Sequence, residues 1–186
     1  MNAITEFDLS VLHSLETIRN EVLTFILRVF THLADAGIFW ILLCAAMLIY
    51  PKTRKIGFYA AVALALQAIL GEAILKHIVC RERPYYYEPW IDTIINRPIT
   101  YSFPSGHTSS SAAVALSVFI QNRKMGAPLI VIALLVAFSR VYFMVHYPTD
   151  VICGIILGCL CAVITFFILG YILKKYHVPF ITQKDR

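Results

Sequence analysis

Charge is scarce in this chain. Asp, Glu, Lys and Arg make up only 15% of its 186 residues, against roughly a quarter in a soluble domain, which argues against a wholly water-facing surface. The eleven acidic residues form no cluster suited to holding magnesium, so neither a metal nor another cofactor is expected. Five cysteines, at positions 44, 80, 153, 159 and 161, lack the paired spacings of a zinc site or a redox CxxC. Four of them lie in apolar runs and read as small packing residues; only Cys80 falls in a polar loop. A basic leader is missing too: MNAITEFDLS carries acids and no short apolar core with a small-residue cleavage site, so no removable signal peptide is expected. No internal repeat, low-complexity tract or second domain is visible, and residues 1–186 read as one domain.

What is present is apolar. At 59% hydrophobic residues and a mean hydropathy of +0.74, the core belongs in lipid. Residues 56–75, 126–145 and 151–173 are long enough to cross a hydrocarbon layer that needs ~20 apolar residues. Residues 37–50 and 108–120 become spans if their helices extend into flanking small or polar residues. Residues 21–34 contain Glu21, Arg28 and His32, and fit either a sixth span or a surface-lying amphipathic helix. Residues 4–18 read as interfacial. The expected fold class is therefore all-α, a polytopic membrane protein with a six-transmembrane-helix bundle and an N-terminal interfacial helix.

Basic residues orient that bundle. Lys52, Arg54 and Lys55 follow the second span, Arg123 and Lys124 the fourth, and Lys174, Lys175, Lys184 and Arg186 the last. These clusters predict a multi-pass cell-membrane protein with both termini in the cytoplasm. They put the loop 77–104, punctuated by Pro84, Pro89 and Pro98, and the turn 142–148 outside. Tyr85, Tyr86, Tyr87 and Trp90 in that loop match an aromatic belt at headgroup level. A formal charge of +5 spread over span ends marks no nucleic-acid partner; membrane lipids are the expected surroundings, and the oligomeric state stays open.

Three polar clusters sit where spans meet the outer surface: Lys76 with Arg83-Pro84, Pro104-Ser105-Gly106-His107, and Ser139-Arg140 with His146 and Asp150. Ionisable groups at that depth are functional candidates by default. Two guanidinium forks and an ammonium suit a phosphoryl group, whose charge spreads over three equatorial oxygens; each cation alone also fits snorkelling at a span end. Ser105 suits a helix cap, and Gly106 would let backbone N–H groups approach an anion. His107 then stands where it can protonate a leaving oxygen. Asp150, four residues after His146, can fix its tautomer and leave one nitrogen to attack phosphorus, or can simply cap a helix beside a buried histidine. Glu72, one turn before Lys76, can pair with it. Gly154 and Gly158 fit small-residue helix packing within the bundle. Arg97 suits either a second phosphate contact or a solvated loop.

Together, in this order, the three clusters resemble the signature motifs of the type 2 phosphatidic acid phosphatase superfamily. That resemblance implies a six-helix membrane fold acting on a lipid phosphate or diphosphate without a metal ion. It implies phosphate binding by Lys76, Arg83, Arg140, Ser105 and Gly106, His107 as general acid, His146 as nucleophile forming a phosphohistidine, and Asp150 as its partner. Glu72, Ser139 and Arg97 are possible supporting residues. Among similar enzymes, those that recycle undecaprenyl diphosphate are favoured; those that dephosphorylate phosphatidylglycerol phosphate or phosphatidate are the alternative. The polyprenyl group often has Asp where this chain has Gly106. A transporter concentrating anions with Lys76, Arg81, Arg83, Arg97 and Arg140 is a rival from another class, but it leaves both histidines unexplained.

Overall fold

A computed structural model describes residues 3–88 and 90–176, and among the described residues the secondary structure is helical throughout. Pro89 and the C-terminal basic residues Lys184 and Arg186 lie outside the described residues. The order is α1 (Ala3–Glu16), α2 (Glu21–Leu33), α3 (Ile38–Ile49), α4 (Arg54–Gln67), a π-helical stretch (Ala68–Leu75), α5 (Lys76–Val79), α6 (Pro84–Tyr87), α7 (Gly106–Gln121), α8 (Arg123–Tyr142) and α9 (Pro148–Tyr176).

α7 is the axis of the bundle. Ten of its sixteen residues are buried, and the run Ser109, Ser110, Ser111, Ala112, Ala113 keeps its surface narrow enough for α4, α8 and α9 to close on it. On α9, Gly154 and Gly158 face it. A Cβ added at Gly158 would fall 2.3 Å from the Ser109 carbonyl oxygen, so the small-residue stripe serves packing inside this chain. The opposite face of α9 exposes Ile152, Ile156, Leu160, Phe167 and Ile168, an apolar surface suited to lipid. All five cysteines are free.

Among the described residues, three helical runs are long and apolar enough to cross a membrane: Pro51–Tyr87, Arg123–Tyr142 and Pro148–Tyr176. α2 and the segment Asp35–Ile49 pass the same test only as a pair bent by 43°, which makes four. Six were expected from the sequence. α7 falls short because sixteen residues rise only about 24 Å at 1.5 Å each, and its polar face is covered by protein. The bend itself has a local cause: after Leu33 ends α2, Ala36 and Gly37 take positive φ values of 50° and 69°, which turn the chain before α3 begins. α1, expected to lie at an interface, packs against α8 and α9 and buries Asp8, Leu9 and Leu12.

Candidate active site

Helix starts and breaks deliver the polar clusters to one end of α7. The π-helical stretch ends on Lys76; such stretches are rare and recur at functional sites, because the extra residue re-aims the side chains that follow. Pro148 occupies the first position of α9, where its missing N–H costs nothing, and Asp150 follows in the first turn. Gly106 opens α7, whose first N–H groups have no intrahelical partner. The expected Ser105 cap is not formed. Its hydroxyl pairs with Thr108 Oγ1 at 2.9 Å instead, while its N–H donates to the Asp150 carbonyl at 3.2 Å.

These elements enclose a cavity of about 320 Å³ lined by Lys76, Arg83, Gly106, His107, Arg140 and His146, with Glu72 on its wall. Ile41, Leu64 and Ala68 give it an apolar side. A second, more open cleft of about 700 Å³ shares Glu72, Lys76 and Thr100 with it and runs to Tyr86, Tyr87 and Tyr101. Lys76 is buried and donates to Glu72 Oε2 at 2.7 Å. The other Glu72 oxygen is buried with no hydrogen-bond partner, and it lies against Gly106: a Cβ there would be 2.0 Å from Oε1. A side chain at position 106 would therefore displace the Glu72 carboxylate from its present place.

Arg83 is buried and held from three directions. It donates to the carbonyls of Thr100 (2.6 Å) and Val145 (2.7 Å), and its Nη1 lies 3.2 Å from His146 Nε2. Arg140 donates to Thr31 Oγ1 at 2.5 Å, while its Nε is buried without a partner.

His146 lies between α8 and α9. Ser102 Oγ stands 3.4 Å from its Nδ1 and donates to Asp150 Oδ2 at 2.5 Å. The expected direct bond from His146 to Asp150 is therefore not made: Nδ1 and Oδ2 are 3.7 Å apart, too far for a hydrogen bond, and the serine relays the contact. Because the Ser102 proton goes to the carboxylate, its oxygen accepts Nδ1–H, which leaves the Nε2 lone pair towards Arg83 and the cavity. Burial holds His146 far below the ordinary imidazole range, at about 3, with Asp150 opposing and the Arg83 and Arg140 charges adding to the depression. At neutral pH it carries no proton on that nitrogen.

Asp150 is itself pinned by Arg81 Nη1 at 2.6 Å and the Tyr147 N–H at 3.0 Å. Arg81 reaches on to Asp8 of α1 at 2.7 Å and lies over the Tyr147 ring at 3.9 Å. His107 Nε2 meets Asp35 Oδ1 at 2.9 Å, and the other Asp35 oxygen meets His32 Nδ1 at 2.8 Å. Four residues predicted for the site do not line the cavity: Ser105 and Asp150 are fully buried behind it, and Ser139 and Arg97 are engaged elsewhere. Ser139 donates to its own helix, at the Val136 carbonyl. Arg97 lies over Tyr85 and reaches Thr93 Oγ1 and the Ile91 carbonyl at 3.4 Å. Among the described residues no three His, Cys, Asp or Glu side chains converge as metal ligands.

Residues 56–174 match the PAP2 superfamily. The chain belongs to that family. It is 36% identical over 120 residues to an undecaprenyl-diphosphatase of Sulfolobus acidocaldarius, covering 64% of this chain and 58% of that protein, so it spans less than two thirds of that relative. It is 30% identical over 173 residues to phosphatidylglycerophosphatase B of Bacillus subtilis, covering 86% of this chain and 81% of that one. In fold it resembles the PAP2-type phosphatidylglycerolphosphate phosphatase of B. subtilis, with a TM-score of 0.74 at 28% identity over 92% of this chain and 89% of the other. Aquifex aeolicus LpxE gives a TM-score of 0.75 at 24% identity over 86% and 94%. The PAP2 match covers all three polar clusters but leaves out Asp8, Thr31 and Asp35, which the fold adds from α1, α2 and the bend.

Proposed function

We propose that this PAP2 protein is an integral-membrane lipid phosphatase that works through a phosphohistidine, with undecaprenyl diphosphate as its favoured substrate. One observation carries the reading: both histidines line the same cavity as Lys76, Arg83 and Arg140, beside an apolar wall. The three cations and the α7 N-terminus at Gly106 take the phosphoryl oxygens. The His146 Nε2 lone pair forms the N–P bond as the bond from phosphorus to the leaving oxygen breaks, and His107 gives that oxygen its proton. Asp150, through Ser102, stabilises the positive ring. Water then attacks the phosphohistidine, His107 takes a proton from it, and phosphate leaves. Protein cations supply the charge that a metal would supply elsewhere.

Kinship with proteins named undecaprenyl-diphosphatase, including BcrC of B. subtilis at 28% identity over 147 residues, supports a polyprenyl diphosphate. The second reading, phosphatidylglycerophosphate or phosphatidate, draws on the longer alignment with phosphatidylglycerophosphatase B. Purified protein assayed against these lipids in EDTA decides between them. Fastest turnover of undecaprenyl diphosphate without added metal is expected, and loss of activity in EDTA restored by magnesium overturns the metal-free mechanism.

The basic clusters support six spans with both termini inside and the site outward. In intact cells a cysteine at Asn96, in a background without Cys80, should react with an impermeant maleimide, and one at Asn122 only after lysis. The reverse pattern inverts the topology.

A further inference from the structure

Asp35 belongs to none of the three polar clusters, yet it is the residue that holds His107. Its Oδ1 accepts from His107 Nε2 at 2.9 Å and its Oδ2 from His32 Nδ1 at 2.8 Å, one imidazole to each oxygen. The backbone is bent to bring it there. Ala36 and Gly37 are both left-handed, and with Ala34 they line the cavity, so the turn that separates α2 from α3 also sets the carboxylate beside α7. A straight continuation of α2 would carry residue 35 along the α2 axis. An ionisable group where two apolar helices meet is a functional candidate by default.

We propose that Asp35 is the positioning residue of the general acid; the inference rests on reading His107 as that acid. With Nε2–H bound to Asp35, Nδ1 is the nitrogen free to serve the leaving oxygen. The imidazolium gives its Nδ1 proton away and keeps Nε2–H on the carboxylate. The neutral ring is then left in the tautomer whose Nδ1 lone pair can take a proton from water in the second step, so one arrangement serves both halves of the reaction. Charge matters as well as orientation. Burial above all, and then the Arg140 charge from α8, disfavour a protonated His107, while Lys76 from α5, Arg83 from the loop before α6 and His146 line the same cavity. Asp35 and Glu72 favour it, and of these two only Asp35 touches the ring.

The test uses the purified full chain, an alkyl lipid phosphate and an activated aryl phosphate whose leaving group needs no proton. Asp35→Asn should lower kcat/KM, which reports only the steps up to phosphoenzyme formation, about 10–100-fold on the alkyl substrate, the range for an outer partner that orients an imidazole, and at most about threefold on the aryl one. Removing the carboxylate makes the imidazolium easier to deprotonate, so the basic limb of kcat/KM for the alkyl substrate should move to lower pH. Asp35→Glu should restore part of both. Equal losses on the two substrates, or an unmoved basic limb, overturn the proposal. His107→Ala is the comparator: if it too loses equally on both substrates, the acid assignment falls and this inference with it. If it discriminates while Asp35→Asn does not, the positioning role alone is wrong.

Discussion

His146 and His107 line one cavity, but the chain holds them by different means. His146 is 2% exposed and Asp150 behind it is fully buried, tied to Arg81, Ser102 and the Tyr147 N–H, with Asp8 of α1 completing the chain of contacts. His107 is 23% exposed and its carboxylate, Asp35, is 53% exposed at a helix bend. A nucleophile has to meet phosphorus at a fixed distance and angle, which a fully satisfied buried network supplies. A proton donor has to meet a leaving oxygen at the mouth of the site, and a partner at a more exposed helix bend places it there. The difference teaches that the depth at which each histidine is held matches the task proposed for it.

Removing the proposed nucleophile should break the comparison most severely. His146→Ala should cut kcat by at least about 10⁴-fold on every substrate, alkyl or aryl, as loss of a covalent nucleophile does in other hydrolases. A radiolabelled phosphoenzyme trapped with the wild type should be absent. Labelling that persists in the variant would mean phosphorus goes elsewhere.

A smaller effect sharpens the contrast. Asp8→Asn removes one of the two carboxylates that fix Arg81, while Asn can still accept from the Thr149 N–H that now meets Asp8 Oδ1 at 3.0 Å. Arg81 then holds Asp150 less firmly, and kcat should fall about tenfold. The fall should be equal on alkyl and aryl phosphates, because attack at phosphorus is slowed rather than departure of the leaving group. A substrate-dependent loss like that expected for Asp35→Asn would erase the distinction between the two halves of the site.

The three polar clusters were legible in the sequence because each keeps its chemistry within a few residues: a histidine four before an aspartate, a glycine and histidine at a helix start. Their partners were not. Asp35 reaches His107 across 72 positions, Ser102 reaches Asp150 across 48, and Arg81 reaches Asp150 across 69 and Asp8 across 73. No spacing rule covers such distances; helix packing does. Asp35 did leave a trace, an acid followed by Gly37 between two apolar runs, and the default weight given to membrane-edge carboxylates would have picked it out. Arg81 was visible only as one more loop cation. The Ser105 cap failed for a local reason, since Thr108 offered its hydroxyl a partner one turn on. The π-helical stretch left no mark, because its composition is that of an ordinary apolar helix.

The smallest effect concerns the wall that Glu72 and Gly106 share. In Gly106→Ala the new Cβ would sit 2.0 Å from Glu72 Oε1, far inside contact distance, but that oxygen ends a flexible side chain and can swing away. The fold should survive, with thermal stability close to wild type. The carboxylate that swings away no longer holds Lys76 at 2.7 Å, so the proposed phosphate clamp should loosen and KM should rise about threefold to tenfold with a smaller change in kcat. Glu72→Gln should weaken the same lysine contact by a different route. If both act through Lys76, the double variant should lose less than the product of the single losses, since one contact cannot be broken twice. Fully multiplicative losses would separate the two residues, leaving Gly106 as a matter of backbone access to phosphate and Glu72 without a role in holding the clamp.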